Sequence, residues 1–292
     1  MENPNEIIKQ VRKLEIKTKI LVDGLLQGAY HSTFKGRGIE FSEVREYNPG
    51  DDIRSIDWNV TARMGFPYVK EYIEERDLTV YFVFDISSSN EFGSTKRKKE
   101  AAIELIASLL FSAMKNNDNT GLFLFTNKIE RYIPARKGKR HAFKILREIL
   151  LYKPKEKTTD LDNSLKFISR IIKKRSVVFI VSDFMTNDFS KSLKMLKSRN
   201  DIICINLNDI REQEIPRIGY IRLEDEETGE RILVNTNDPV FRANYSNILK
   251  EKNKNLEKTL KKLNIDIINL LSDEPYEIPL KKFFRLRCRR IR

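Results

Sequence analysis

Asp85-Ile86-Ser87-Ser88-Ser89 puts one carboxylate and two hydroxyls on alternate positions of a short segment that follows an apolar run. Hard oxygen donors of this kind suit magnesium or manganese rather than zinc. Two other segments carry matching chemistry. Thr158-Thr159-Asp160 offers a hydroxyl just before a helical pattern, and Ser182-Asp183 offers a second carboxylate at the end of Val177 to Val181. If all three end at one sheet edge, they converge on a single Mg2+ or Mn2+ ion. The competing reading makes Asp85, Ser87, Thr159 and Asp183 helix caps or turn residues, since Asp, Ser and Thr are favoured there.

The same residues argue against several enzymes. A haloacid-dehalogenase-type phosphatase needs a second aspartate two positions after its nucleophile, where Ser87 stands. The chain has no G-x-x-x-x-G-K-[ST] loop, and its first strand-to-helix turn lacks G-x-G-x-x-G. The two histidines, His31 and His141, have polar or basic neighbours and do not suggest a triad. A metal-dependent phosphoester hydrolase holding its ion with Asp85 and Asp183 remains the alternative, although no general base is evident.

These residues need a scaffold, and the sequence after Thr79 describes one. Short runs rich in Val, Ile, Leu and Phe predict strands at Thr79 to Phe84, Gly121 to Thr126, Val177 to Ser182, Ile202 to Leu207 and Ile265 to Leu270. Amphipathic segments alternate with them at Lys96 to Asn116, Lys139 to Tyr152, Asp162 to Lys174 and Phe189 to Ser198. A last long helix opens at Asp238-Pro239 and repeats Phe241, Tyr245, Ile248, Leu249, Leu256, Leu260 and Leu263 on a face that a sheet should cover. This alternation predicts a doubly wound, mostly parallel α/β sheet of Rossmann-like type. Ligands of such sheets bind at the carboxyl ends of the strands.

Before Thr79 the pattern changes to a helix near Asn5 to Leu26 and then a turn-rich or β-containing stretch. We therefore expect residues 1–77 to form a helix and an extension packed on the main domain, residues 78–285 to form that domain, and residues 286–292 to form a basic tail. Trp58 reads as a core anchor. Arg45, Asp52, Arg54, Asp57 and Arg63 could line a partner surface or form internal ion pairs that fasten the segment to the sheet, and the second reading is favoured.

The 292 residues carry a net charge of +13 and two cysteines, Cys204 and Cys288. Two scattered cysteines do not make a disulfide framework. The polar N-terminus and the absence of a long apolar run predict a cytoplasmic protein with no membrane span. The positive charge favours anionic partners. Most basic runs fall at helix ends and read as solvated faces, which makes nucleic acid an unlikely ligand. Nonspecific binding through the tail Arg285 to Arg292 is retained as an alternative.

The block Gly36-Arg37-Gly38-Ile39-Glu40-Phe41-Ser42-Glu43-Val44-Arg45-Glu46-Tyr47, with Pro49 to Arg54, Ile56-Asp57-Trp58 and Thr61-Ala62-Arg63, resembles the signature of the bacterial domain-of-unknown-function 58 family. The likeness continues through Glu74-Glu75-Arg76, the Asp85 loop, Phe92-Gly93, Ser182-Asp183-Phe184, Glu224 to Glu230, Pro279-Leu280 and Phe283-Phe284. It implies a von Willebrand factor A-like fold. It also implies a metal-ion-dependent adhesion site at Asp85, Ser87, Ser89, Thr159 and Asp183, with Thr158 as the alternative hydroxyl because it stands where the pattern often has glycine. A further implication is a non-enzymatic interaction module. Its expected associates are a MoxR-type AAA+ ATPase and client proteins that present a carboxylate.

Overall fold

The computed structural model describes residues 4–22, 30, 40–73, 78–87, 98–209, 217–224 and 231–291. It divides into two compact units. One combines Met1–Thr33 with Thr79–Arg292, and the other is Phe34–Leu78. Helix α1 (Pro4–Leu21) thus groups with the sheet rather than with the signature segment.

The smaller unit pairs strand β1 (Glu40–Glu46) antiparallel with β2 (Tyr68–Ile73), and helix α2 (Trp58–Met64) lies between them in sequence. Its charged residues work locally. Arg45 and Asp51 form an ion pair at 2.7 Å and Lys70 approaches Asp57 at 3.4 Å, while Asp52 and Asp57 accept backbone N–H groups as caps. Arg45 and Asp57 thus have partners within their own unit. Trp58 is not a core anchor. As the first residue of α2 it is 66% exposed, along with Ile53, Met64 and Phe66.

In the larger unit, β3 (Thr79–Asp85) leads to α3 (Lys98–Lys115), then to β4 (Asn119–Phe125) and the antiparallel β5 (Ile129–Arg136). Helices α4 (Lys139–Leu151) and α5 (Leu161–Ile171) precede β6 (Val177–Ser182). Helix α6 (Ser190–Lys197) leads to β7 (Asp201–Asn208), and a hairpin of β8 (Tyr220–Glu224) and β9 (Arg231–Asn235) follows. Helix α7 (Pro239–Lys262), β10 (Asp266–Leu271) and α8 (Glu277–Ile291) close the chain.

The six-stranded sheet runs β10-β7-β6-β3-β4-β5, and every pair except β4 with β5 is parallel. Counted in chain order within the sheet, this is the 3-2-1-4-5-6 arrangement of doubly wound folds, as expected from the alternating pattern. The first and fourth strands, β3 and β6, are neighbours, and the chain winds away from them in opposite directions. The topological switch point is therefore where β3 and β6 end.

Both faces of β3 and β6 are buried, which is why their sequences are continuous apolar runs rather than alternating ones. On one face Val83, Phe123, Phe125 and Ile180 pack with Leu165 and Ile168 of α5, Leu193 of α6 and Leu260 of α7. On the other, Phe82 stacks on Phe179 at 5.7 Å, and α3 buries residues around nearly its whole circumference. It can do so because α1 and α4 pack on its outer side, with Lys17 paired to Glu104 at 2.6 Å.

Two sequence expectations about the last helices change. The face of α7 is only partly covered: Leu260 is buried, Phe241, Tyr245, Leu249, Leu256 and Leu263 are half-buried, and Ile248 is 54% exposed. The segment read as a basic tail belongs to the last turns of α8, where Arg287 bonds Asp201 and lies 3.3 Å from Asp266. Leu280 and Phe284 are fully buried, which anchors the helix despite its charge.

Gly121 marks a close approach. A Cβ there would lie 2.5 Å from the Tyr81 ring and 3.0 Å from the Ile133 carbonyl oxygen. Gly121→Ala should cost about 1–3 kcal/mol by overpacking. Urea unfolding checks this, and an unchanged midpoint would mean that Tyr81 can step aside freely.

Candidate metal centre

The carboxyl ends of β3 and β6 come together because Phe84 pairs with Val181 in the parallel register. Asp85 therefore ends its strand beside Ser182, whose hydroxyl donates to Asp85 Oδ2 at 2.8 Å. The other carboxylate oxygen accepts the Ser87 backbone N–H at 3.0 Å. Asp85, Ser87 and Ser182 are all fully buried.

Asp183 follows directly, with 8% exposure, and accepts the Met185 N–H at 3.1 Å. Between them Phe184 adopts φ +55, a left-handed conformation that is costly for a bulky side chain. Its N–H donates to Ser182 Oγ at 3.0 Å and its ring packs near Phe189, so local bonding and burial hold the turn. The result is one serine hydroxyl that fixes both the Asp85 carboxylate and the backbone presenting Asp183.

The threonine loop reaches the same place. Asp160 donates its N–H to the Thr126 carbonyl at the end of β4, and its side chain caps α5 through Asn163. Glu130 of β5 pins the loop's earlier part by accepting the Lys155 and Glu156 N–H groups and the Thr126 hydroxyl. Burial pushes the Glu130 carboxyl up, but these donors outweigh it and hold the group below its usual value. Thr159 then lies half-buried on a cleft of about 550 Å3 that Asp183, Phe184, Met185 and Asn253 also line. The Thr159 carbonyl accepts the Thr186 hydroxyl at 3.3 Å, and Thr158 points outward as an exposed residue.

Four of the five residues singled out by sequence, Asp85, Ser87, Thr159 and Asp183, thus gather at the switch-point end of the sheet. Ser89 lies outside the described residues, as do Glu74 to Arg76 and Phe92-Gly93. Three contributors were not anticipated: Ser182 as the bridge to Asp85, Glu130 as the loop pin, and Lys98. The Lys98 ammonium sits 3.8 Å from Asp183 Oδ2 on a side chain that is 1% exposed. It belongs to the run Lys96 to Lys99, which reads as a solvated face. The missed signal is spacing, because Lys98 lies four and seven positions before the fully buried Ala102 and Leu105, on the inward stripe of α3.

The electrostatics favour a cation. Burial first, and the Asp183 charge second, push the Asp85 carboxyl up to about 7 against the stabilising donors of Ser87 and Ser182. Among the described residues no group of three or more His, Cys, Asp or Glu side chains comes together. A metal here would rely on two carboxylates supplemented by hydroxyls, a donor set that fits Mg2+ or Mn2+ and not a thiolate- or imidazole-seeking ion.

The raised carboxyl has a sign that can be measured. Asp85 holds a proton more tightly folded than unfolded between the usual carboxylate value of 3.8 and about 7. Its contribution to stability therefore falls as pH rises through that window. In chelator, the melting temperature of wild type minus that of Asp85→Asn should decline from pH 4 to pH 7. A difference that is flat or rises would contradict a carboxyl that burial keeps protonated.

The family model described as "Protein of unknown function DUF58" matches residues 43–255. The uncharacterized protein Rv1480 of Mycobacterium tuberculosis (strain ATCC 25618 / H37Rv) is 28% identical over 283 residues, covering 96% of this chain and 89% of its own length. Among solved structures, an aerotolerance-related membrane protein from Bacteroides fragilis NCTC 9343 aligns at 16% identity and a TM-score of 0.49, over 73% of this chain and 99% of its own. A von Willebrand factor type A protein from Catenulispora acidiphila aligns at 11% identity and a TM-score of 0.44, over 76% of this chain and 43% of its own.

Proposed function

The chain belongs to the DUF58 family, and we propose that it is a non-enzymatic protein-interaction module that captures a partner's carboxylate at a metal-ion-dependent adhesion-type site. The observation that supports this most is the meeting of Asp85, Ser182 and Asp183 at the sheet's switch point, where doubly wound folds present ligands. Asp85, Ser87, Ser89, Thr159 and Asp183 would hold Mg2+ or Mn2+. Bound there, the ion supplies an incompletely neutralised coordination position that a glutamate or aspartate of another protein can fill.

The protein's own part is preorganisation. Ser182 orients Asp85, the Phe184 turn presents Asp183, and Glu130 fixes the approach of the threonine loop. The adjoining cleft gives a partner segment room to lie beside the site.

Hydrolysis of phosphoesters is the weaker reading. Around the carboxylate pair stand the Ser182 hydroxyl, the Ser87 and Met185 N–H groups and the Lys98 ammonium, and the one described histidine, His141, is bonded to the Thr120 carbonyl at the opposite end of β4. No described helix is long and apolar enough to cross a membrane. A cytoplasmic setting and a MoxR-type AAA+ ATPase as associate complete the proposal, both following from the family resemblance.

Interferometry against a purified MoxR-type ATPase of the same organism tests the reading. Binding in Mn2+ should weaken about tenfold or more with chelator or with Asp85→Ala, because truncation removes a charge-assisted contact. Binding that ignores both changes would contradict carboxylate capture, and no binding at all would remove the ATPase from the proposal.

A further inference from the structure

Lys98 is an unusual resident of the first turn of α3. An ammonium is costly to bury unless an opposite charge compensates it, and a lysine at a helix start can ordinarily extend into water. Here the side chain is 1% exposed and its ammonium lies 3.8 Å from Asp183 Oδ2. The next residues of the same turn, Lys99 and Glu100, are half-buried and exposed. The inward placement is therefore a property of position 98 and not of the whole basic run.

We propose that the Lys98 ammonium is the resident counter-cation of the Asp85 and Asp183 pair, and that it and a divalent ion exclude one another from that pair. The inference rests on reading the pair as a cation site. Two like charges held a few ångströms apart in a poorly screened interior repel strongly, so a divalent ion must displace the amine before it can be held by both carboxylates. The four-carbon stem makes the displacement feasible, because lysine is a point charge on a flexible arm rather than a fixed fork. Lys98 then sets the affinity of the site for metal and keeps the pair neutralised in part when metal is scarce. Divalent binding would also drive the ammonium out of the pair.

The test titrates Mn2+ into chelator-treated full-length wild type and Lys98→Met, a substitution that keeps the length and removes the charge. Lys98→Met should bind Mn2+ about tenfold or more tightly than wild type. Its melting temperature should be lower than that of wild type in chelator and should recover in Mn2+. Equal or weaker Mn2+ binding by Lys98→Met overturns the proposal and leaves the metal-site reading standing if wild type binds. Binding by Lys98→Met alone supports the proposal while showing that the native site is not metal-dependent. Absence of binding by both proteins overturns it. Should Lys98→Met fail to fold, wild type gives the answer through amine acetylation read by mass spectrometry. Lys98 should be protected in chelator and become reactive in millimolar Mn2+, and protection unchanged by saturating metal would overturn the displacement.

Discussion

Two carboxylates at the end of a buried sheet repel each other and are poorly hydrated, and much of the larger unit's local architecture manages that conflict. Asp85 has no access to water and sits within the field of Asp183, which is why its proton is held so far above the usual range. Burying a carboxylate beside a like charge is costly even with the Ser87 and Ser182 donors in place. The arrangement makes physical sense if the stored negative charge is to be met by a cation.

The fold creates the conflict by its winding order. Because β3 and β6 are adjacent while the chain winds away from them in opposite directions, their carboxyl ends lie beside each other at the switch point. Ser182 then restrains both acids, Phe184 stays in a strained turn that its burial sustains, and Glu130 ties the Thr159 loop to the edge of the sheet. The apolar mass of α3, covered on its outer side by α1, carries Lys98 into the same space. Rigid elements thus hold the site from several directions, as a binding centre requires.

Much of this was legible in the sequence for a simple reason. Strands buried on both faces must be continuous apolar runs, so β3, β4, β6 and β7 declared themselves, and the acids and hydroxyls at their ends followed from chain order. The rest was hidden where local pattern and tertiary role part company. Strand β5 alternates apolar and charged residues and contains Pro134, which an edge strand tolerates but a pattern search discounts. The end of helix α8, residues 286–292 in the sequence reading, looked like a tail because its charges hide a helix that Leu280 and Phe284 anchor further back. Trp58 carried the expectation attached to large aromatics and stands in solvent instead. Lys98 was masked by its basic neighbours, and only its phase on the helix set it apart.

The most direct test of a cation-binding centre is isothermal titration of Mg2+ and Mn2+ into chelator-treated protein beside an Asp85→Ala variant that retains its fold by circular dichroism. Saturable binding by wild type, lost in the variant, is the expected result. Binding that survives the loss of Asp85, or heats indistinguishable from dilution up to millimolar metal, would contradict a metal centre at the ends of β3 and β6.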